Sequence, residues 1–128
     1  MKSYSEVVSA PGRLTLGETP EGFDALVLAD MVRAAKGGSG VTVHVARDDT
    51  RMAAIAEALG FFAPEIEIVV FPAWDCLPYD RVSPNADISA RRMAALSRLA
   101  ALKAAPAGAP VLLLTTVNAM LQRVPPQE

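Results

Sequence analysis

The sequence predicts an α/β fold, in which a parallel, doubly wound sheet of about four strands is flanked by helices. Segments 41–46, 66–71 and 111–115 are almost continuously apolar and rich in Val, Ile and Leu, which is typical of parallel strands covered on both faces. Longer stretches with helical periodicity separate these segments. Repeated strand–helix alternation of this kind favours βαβ crossovers and therefore a parallel sheet.

The first half of the chain contributes a predicted strand at 12–16 (GRLTL) and a helix at 22–35 that is apolar almost all round. A second helix is predicted at about 49–59, where Asp48 or Asp49 can cap the N-terminus. This helix carries the clearest amphipathic stripe of the chain, formed by Met52, Ile55, Ala56 and Leu59.

In the second half, a helix is predicted at about 88–103 with Asp87 as its N-cap, and a short one at 117–122. The segment 72–87 (PAWDCLPYDRVSPNAD) is a long loop with three prolines. Loops of this length inside a compact domain are often functional. We expect this one to be ordered.

Length and composition indicate one globular domain. The 128 residues (13.5 kDa) are 52% apolar and 20% charged, which excludes an intrinsically disordered chain. We assign residues 1–11 to an N-terminal tail, 12–124 to a single α/β domain and 125–128 to the start of an interdomain linker. The double proline Pro125-Pro126 suggests a piece of a larger protein. Without a predicted membrane span or signal peptide, we expect a cytoplasmic location.

Charge and metal-ligating residues exclude several function classes. The formal net charge of −2 lacks the broad basic field of a dedicated nucleic-acid binder. The single cysteine, Cys76, and the single histidine, His44, form neither a disulfide nor a zinc cluster. His44 lies within an apolar strand and is interpreted as structural, and the Asp75 carboxylate next to Cys76 disfavours a reactive thiolate. We expect no metal and no cofactor.

The turn before the first helix has the spacing of a decayed phosphate-binding loop. Gly17 and Gly22 match the Gly-x4-Gly start of a P-loop, but Phe23 and Asp24 replace the Lys and the Ser or Thr that follow it. These side chains provide no positive charge for phosphate and no hydroxyl for magnesium. We therefore predict no nucleotide binding and interpret the acidic turn as a favourable helix start.

The long loop and the helix after it contain the remaining candidate site residues. The aromatic and apolar side chains of the loop are either interface anchors or a cover for the open end of the sheet. We expect Trp74 and Leu77 to be largely buried. Arg92 is expected to reach a carboxylate such as Asp75 or Asp80 and so clamp the loop to the helix. The candidate interaction or structural residues are Trp74, Asp75, Leu77, Pro78, Tyr79, Asp80 and Arg92.

A more specific pattern covers FPAWDCLPYDRVSPNADISARRMAALSRL at 71–99 and VLLLTTVNAMLQRVPP at 111–126. These residues resemble the N-terminal region of the bacterial transcription-repair coupling factors (Mfd). The shared features are a W-(D/E)-x-LPYD-x-x-SP core, a downstream arginine with leucines, and a V-N-x-x-x-Q-R segment. The resemblance extends over about residues 12–126.

This resemblance implies a role in nucleotide excision repair after DNA damage. Family members are large ATP-dependent DNA translocases that remove RNA polymerase stalled at lesions and recruit the repair protein UvrA. Their N-terminal module is UvrB-like and helicase-like, resembling part of a motor domain, with a degenerate P-loop. By this resemblance the chain is a structural, non-catalytic subdomain that contacts the remaining domains of its parent protein and no membrane.

The resemblance also implies that UvrA, RNA polymerase and DNA are bound through other domains. In UvrB a long aromatic hairpin at the position of loop 72–87 inserts into DNA. The loop is too short to be that hairpin, so Tyr79 is not assigned a role in opening DNA. An alternative hypothesis from another class is a stand-alone nucleotide- or small-ligand-binding α/β domain that uses the crevice at the strand C-termini.

Overall fold

The computed structural model describes residues 6, 10–35, 41–77, 79–105 and 108–126. Pro78 and parts of the predicted tail and linker, 1–5, 7–9 and 127–128, lie outside these residues. Strands and helices alternate along the chain in the order α1 (Phe23–Ala34), β1 (Thr42–Ala46), α2 (Asp49–Phe62), β2 (Glu67–Phe71), α3 (Ala86–Ala104), β3 (Val111–Thr116) and α4 (Val117–Leu121).

The strands form a parallel sheet in the order β1-β3-β2, which confirms the predicted fold class. Central strand β3 pairs with both neighbours, so that Leu113 lies opposite Val43 on β1 and Val69 on β2. Each consecutive pair of strands is connected through a helix, as a parallel sheet requires. Strands predicted from 41–46, 66–71 and 111–115 are therefore present, with bounds within one residue.

The predicted strand at 12–16 is wrong, and the described sheet has three strands instead of about four. Leu14 and Leu16 remain 49% and 47% exposed, respectively. Their alternation resembles that of a strand, but no neighbouring strand pairs with this segment in the described part of the chain. Without such a partner the backbone N–H and C=O groups remain with solvent instead of a sheet ladder.

Helices cover both faces of the sheet, as the apolar strands predict. On one face, α1 and α2 pack over Ala46, Leu112 and Leu114. On the other face, α3 and α4 pack over Val69, Phe71 and Val111. The alternating residues of one strand therefore enter two different cores, which explains why the strands lack polar positions. The bidentate ion pair of Arg98 on α3 with Glu67 on β2 holds the second layer in place.

Capping side chains fix the helix starts. The Asp48 carboxylate accepts a hydrogen bond from the Arg51 N–H at 2.8 Å, which confirms Asp48 as a cap of α2. The prediction for Asp87 is wrong: α3 begins earlier, and Asn85 is its N-cap. The Asn85 side chain accepts from the Asp87 N–H at 2.9 Å, which leaves Asp87 in the first turn. There the negative charge of its carboxylate interacts favourably with the positive N-terminal end of the helix dipole.

Candidate functional site

The turn that leads into α1 places Gly22, Phe23 and Asp24 together at the helix start, as the sequence predicts. Gly22 adopts a left-handed conformation with φ 87°, which a side chain would strain. The Phe23 N–H donates to the Pro20 carbonyl at 3.1 Å and closes the turn. The local backbone conformation of the turn therefore accounts for a glycine at this position.

Arg51 on α2 occupies the acidic side of this turn. Its guanidinium donates to the Asp24 carboxylate and, at 3.2 Å, to Glu21. Asp24 and Arg51 are both only partly exposed, so solvent screens this pair less than it would a surface pair. The positive charge of Arg51 is therefore already bound to two carboxylates, and a phosphate would have to compete with both of them.

His44 lies on β1 near the same charges. Burial lowers the pKa of the His44 imidazole below its ordinary value of 6.5; the positive charge of Arg51 lowers it further, while Asp24 raises it. The unfolded chain therefore binds more protons than the folded chain near pH 6, and folding stability rises with pH through that window.

We predict that the free energy of unfolding falls as pH is lowered from 8 to 5.5, because protonated His44 is disfavoured in the folded state. Since His44 is the only histidine in the sequence, H44Q should remove most of this dependence. Urea unfolding at three pH values measures it. An equally steep pH dependence in H44Q would contradict the assignment.

Arg92 lies at the same C-terminal edge of the parallel sheet, where β2 and β3 end. It is 2% exposed, and its Nη1 donates to the Pro72 carbonyl at 2.7 Å and to Gln122 Oε1 at 3.3 Å. The guanidinium carbon lies 4.2 Å from the ring centroid of Phe71 and 4.4 Å from that of Trp74, which are cation–π distances. Burial lowers the pKa of Arg92. The clamp between helix and loop is thus present.

The predicted partner of this clamp is wrong, because Arg92 binds neither Asp75 nor Asp80. Both carboxylates instead accept hydrogen bonds from the loop's own backbone. Asp75 accepts from the Asn85 N–H at 3.2 and 3.3 Å, and Asp80 accepts from the Leu77 N–H at 3.1 Å. Loop N–H groups supply donors that a sequence pattern does not reveal, and the arginine is satisfied by a carbonyl, an amide and two rings.

Gln122 connects the loop to α4. Its side-chain oxygen accepts from the Trp74 N–H at 2.7 Å as well as from Arg92. Gln122 is not among the predicted site residues, although it belongs to the V-N-x-x-x-Q-R segment. The loop is therefore held by Arg92 and Gln122 from two different helical segments and by its own Asp75 and Asp80.

The loop presents apolar side chains to solvent. Leu77 is 72% exposed, so its predicted burial is wrong, while Trp74 is half-buried. Tyr79 is 97% exposed. Bonding of the Leu77 N–H to Asp80 and of its C=O to the Asp80 N–H forms a tight turn that directs this segment away from the core. Cys76 is a free, half-buried cysteine.

A groove of 910 Å³ lies between this loop and the end of α4, and we name it the loop groove. Trp74 forms part of its wall, and Gln122, the residue after α4, also lines it. Its exposed lining residues are Leu77, Tyr79, Asp80, Arg81, Val82, Ser83, Pro84, Leu121 and Arg123. This groove has no signal in the sequence, because it forms only when residues about 40 positions apart meet at the sheet edge.

Neither a metal cluster nor a membrane helix is found in the described residues. No group of three or more His, Cys, Asp or Glu side chains there could hold a metal ion. Over the same ranges, no helix has the length and apolar character needed to cross a bilayer.

Comparison with curated proteins identifies transcription-repair-coupling factors as relatives. The chain is 35% identical to the factor of Rickettsia bellii over 68 residues and 37% identical to that of Mycobacterium tuberculosis over 73 residues, about half of the chain in each case (53% and 56%). Similarity to the Haemophilus influenzae factor extends over 113 residues, 88% of the chain, at 28% identity.

The similarity is distant and partial with respect to these relatives. The matched segments span only 6% to 9% of the relatives' own length. No family model and no solved structure matches the chain. The chain thus resembles one small segment of a much larger multidomain protein.

Proposed function

We propose that this chain is a structural, non-catalytic subdomain of the UvrB-like repair-recruitment module in a transcription-repair coupling factor. The observation that carries the proposal is its similarity to a 6–9% segment of several curated factors. In this role it supports nucleotide excision repair in the cytoplasm by holding neighbouring domains in place. UvrA, RNA polymerase and DNA are then engaged by other domains of the parent protein.

The turn before α1 supports the non-catalytic part of this proposal. A P-loop needs a lysine for the phosphates and a hydroxyl for magnesium, whereas Phe23 and Asp24 follow Gly22 here. Arg51 lies close enough to contribute positive charge, but it is bound to Asp24 and Glu21. These features favour a scaffold over a nucleotide site.

A chimeric coupling factor tests the proposed role. In the Haemophilus influenzae factor, the 113 matched residues are replaced by the corresponding part of this chain. We expect the chimera to retain UvrA binding and removal of stalled RNA polymerase, while the isolated chain binds UvrA weakly or not at all. The same factor with the segment deleted is the control.

Two outcomes would overturn the proposed role. One is micromolar UvrA binding by the isolated chain, which would place the contact surface in this segment. The other is a folded chimera that behaves like the deletion control, which would show that this chain does not replace the matched segment.

We further predict that the chain neither binds nor hydrolyses ATP. Each missing charge-assisted bond to phosphate costs about 1.5 to 3 kcal/mol, which is one to two decades of affinity. Calorimetric titration with magnesium-ATP should give no saturable heat, and the melting temperature should not rise. Submillimolar binding that is lost in G22A would favour the alternative function, a stand-alone nucleotide-binding domain.

A further inference from the structure

The loop groove combines exposed apolar side chains with a fixed framework. Tyr79 and Leu77 on one side and Leu121 on the other are large apolar groups left mostly in contact with water. The loop that carries the first two is tied down by Arg92, Gln122 and its internal carboxylate bonds. A surface whose backbone is fixed before binding loses less entropy when a partner docks.

Two arginines and one carboxylate, that of Asp80, line the groove. Asp80 accepts a hydrogen bond from the Leu77 N–H and Asp75, in the same loop, accepts one from the Asn85 N–H, and both carboxylates keep their negative charge. Arg81 and Arg123, which line the groove, have no ion-pair partner in the part of the chain that the structure describes. The groove lining therefore has an excess of positive charge, with two arginines against one carboxylate, beside exposed apolar side chains.

We propose that the loop groove is a docking surface for an extended peptide segment of a protein partner, with apolar side chains flanked by Asp or Glu. The apolar side chains would cover Tyr79, Leu77 and Leu121, and the acidic flanks would pair with Arg81 and Arg123. This surface goes beyond the scaffold role proposed above, and its test does not depend on UvrA or on a parent protein.

Several features favour an acidic peptide over a single-stranded nucleic acid. An exposed tyrosine can stack on bases, and two arginines can pair with phosphates. However, the carboxylates of Asp75 and Asp80 lie in the same loop, and the chain has a net charge of −2. A polyanion with a phosphate at every step would meet these carboxylates, whereas a peptide can place its few acidic residues at the arginines.

A peptide array tests the proposal directly. It contains peptides of about ten residues whose central apolar positions vary over Leu, Ile, Phe and Met. Their flanking positions are all Asp and Glu, all Ser, or all Lys. We expect the acidic series to bind best, by about three- to fivefold over the Ser series per arginine engaged, as measured by fluorescence anisotropy.

Three variants of the chain test whether the peptides bind in the loop groove. Y79A should weaken the best acidic peptide about tenfold or more, and the exposure of Tyr79 means that the fold should be retained. R123E should reverse the preference from acidic to Lys-flanked peptides. R13E makes the same charge change at an exposed position that does not line the groove, and should leave both series unchanged.

The proposal is overturned if no peptide of any series binds below millimolar concentration, or if R123E and R13E behave alike. A preference of the native chain for Lys-flanked peptides would also overturn it. Binding of oligothymidylate that is lost in Y79A would reassign the groove to single-stranded nucleic acid.

Discussion

R92A is expected to lower the free energy of unfolding by about 3 kcal/mol. The substitution removes a side chain that is 2% exposed and leaves a cavity between Phe71 and Trp74. It also deprives the Pro72 carbonyl and the Gln122 side chain of a donor. Large-to-small core substitutions cost about 2 to 5 kcal/mol, and a buried acceptor without a partner about 1 to 3 kcal/mol. These two effects overlap and are not added in full.

The neighbouring arginine is a matched control for this experiment. Arg91 is 62% exposed and pairs with Asp87 one turn earlier on α3. R91A should therefore change stability by at most about 0.5 kcal/mol. Urea unfolding followed through Trp74, the only tryptophan, measures both variants. Equal effects of R92A and R91A would contradict the clamp.

The emission of Trp74 separates loss of the clamp from a general loss of stability. In native R92A we expect a red shift, because the ring loses the guanidinium that covers it and becomes more accessible to water. R92M refills part of the volume without restoring the donor, so it should recover part of the stability. An unshifted native spectrum in R92A would show that the loop is held without Arg92.

The sheet could be predicted from the sequence because its signal is local. Unbroken runs such as VLLLT at 111–115 exclude a strand with a solvent face, so burial on both faces and parallel pairing follow. Segment 12–16 has a weaker version of the same pattern. The strand prediction for this segment is wrong, which shows that two alternating leucines do not form a strand unless another strand or an apolar face is available to them.

The candidate site was less predictable because its contacts are not local. The sequence indicates that Arg92 lies at the edge of the apolar face of α3 and needs a partner. It does not indicate that a backbone carbonyl, an amide and two rings satisfy it better than the nearby carboxylates do. For the same reason the exposure of Leu77 depends on Asp80 and its local turn, which composition does not specify.

L112A is expected to cost about 3 to 5 kcal/mol of unfolding free energy. Leu112 is 0% exposed on the central strand, where it lies opposite Thr42 and Ile68 in the register of the two neighbouring strands. Its side chain belongs to the core between the sheet and helices α1 and α2. Leu-to-Ala substitutions at such sites lose transfer free energy and also leave a cavity that the surroundings fill only partly.

V43A on the edge strand β1 is the comparison for the loss of stability in L112A. Val43 on β1 is 50% exposed, so V43A removes less buried surface, leaves no closed cavity, and should cost less than about 1 kcal/mol. For a domain of this size the difference corresponds to roughly 10 °C or more in melting temperature. Thermal unfolding of the two variants beside the native chain measures it. If L112A and V43A melted together, β3 would not be the buried centre of the sheet, and the two-core arrangement that depends on it would be wrong.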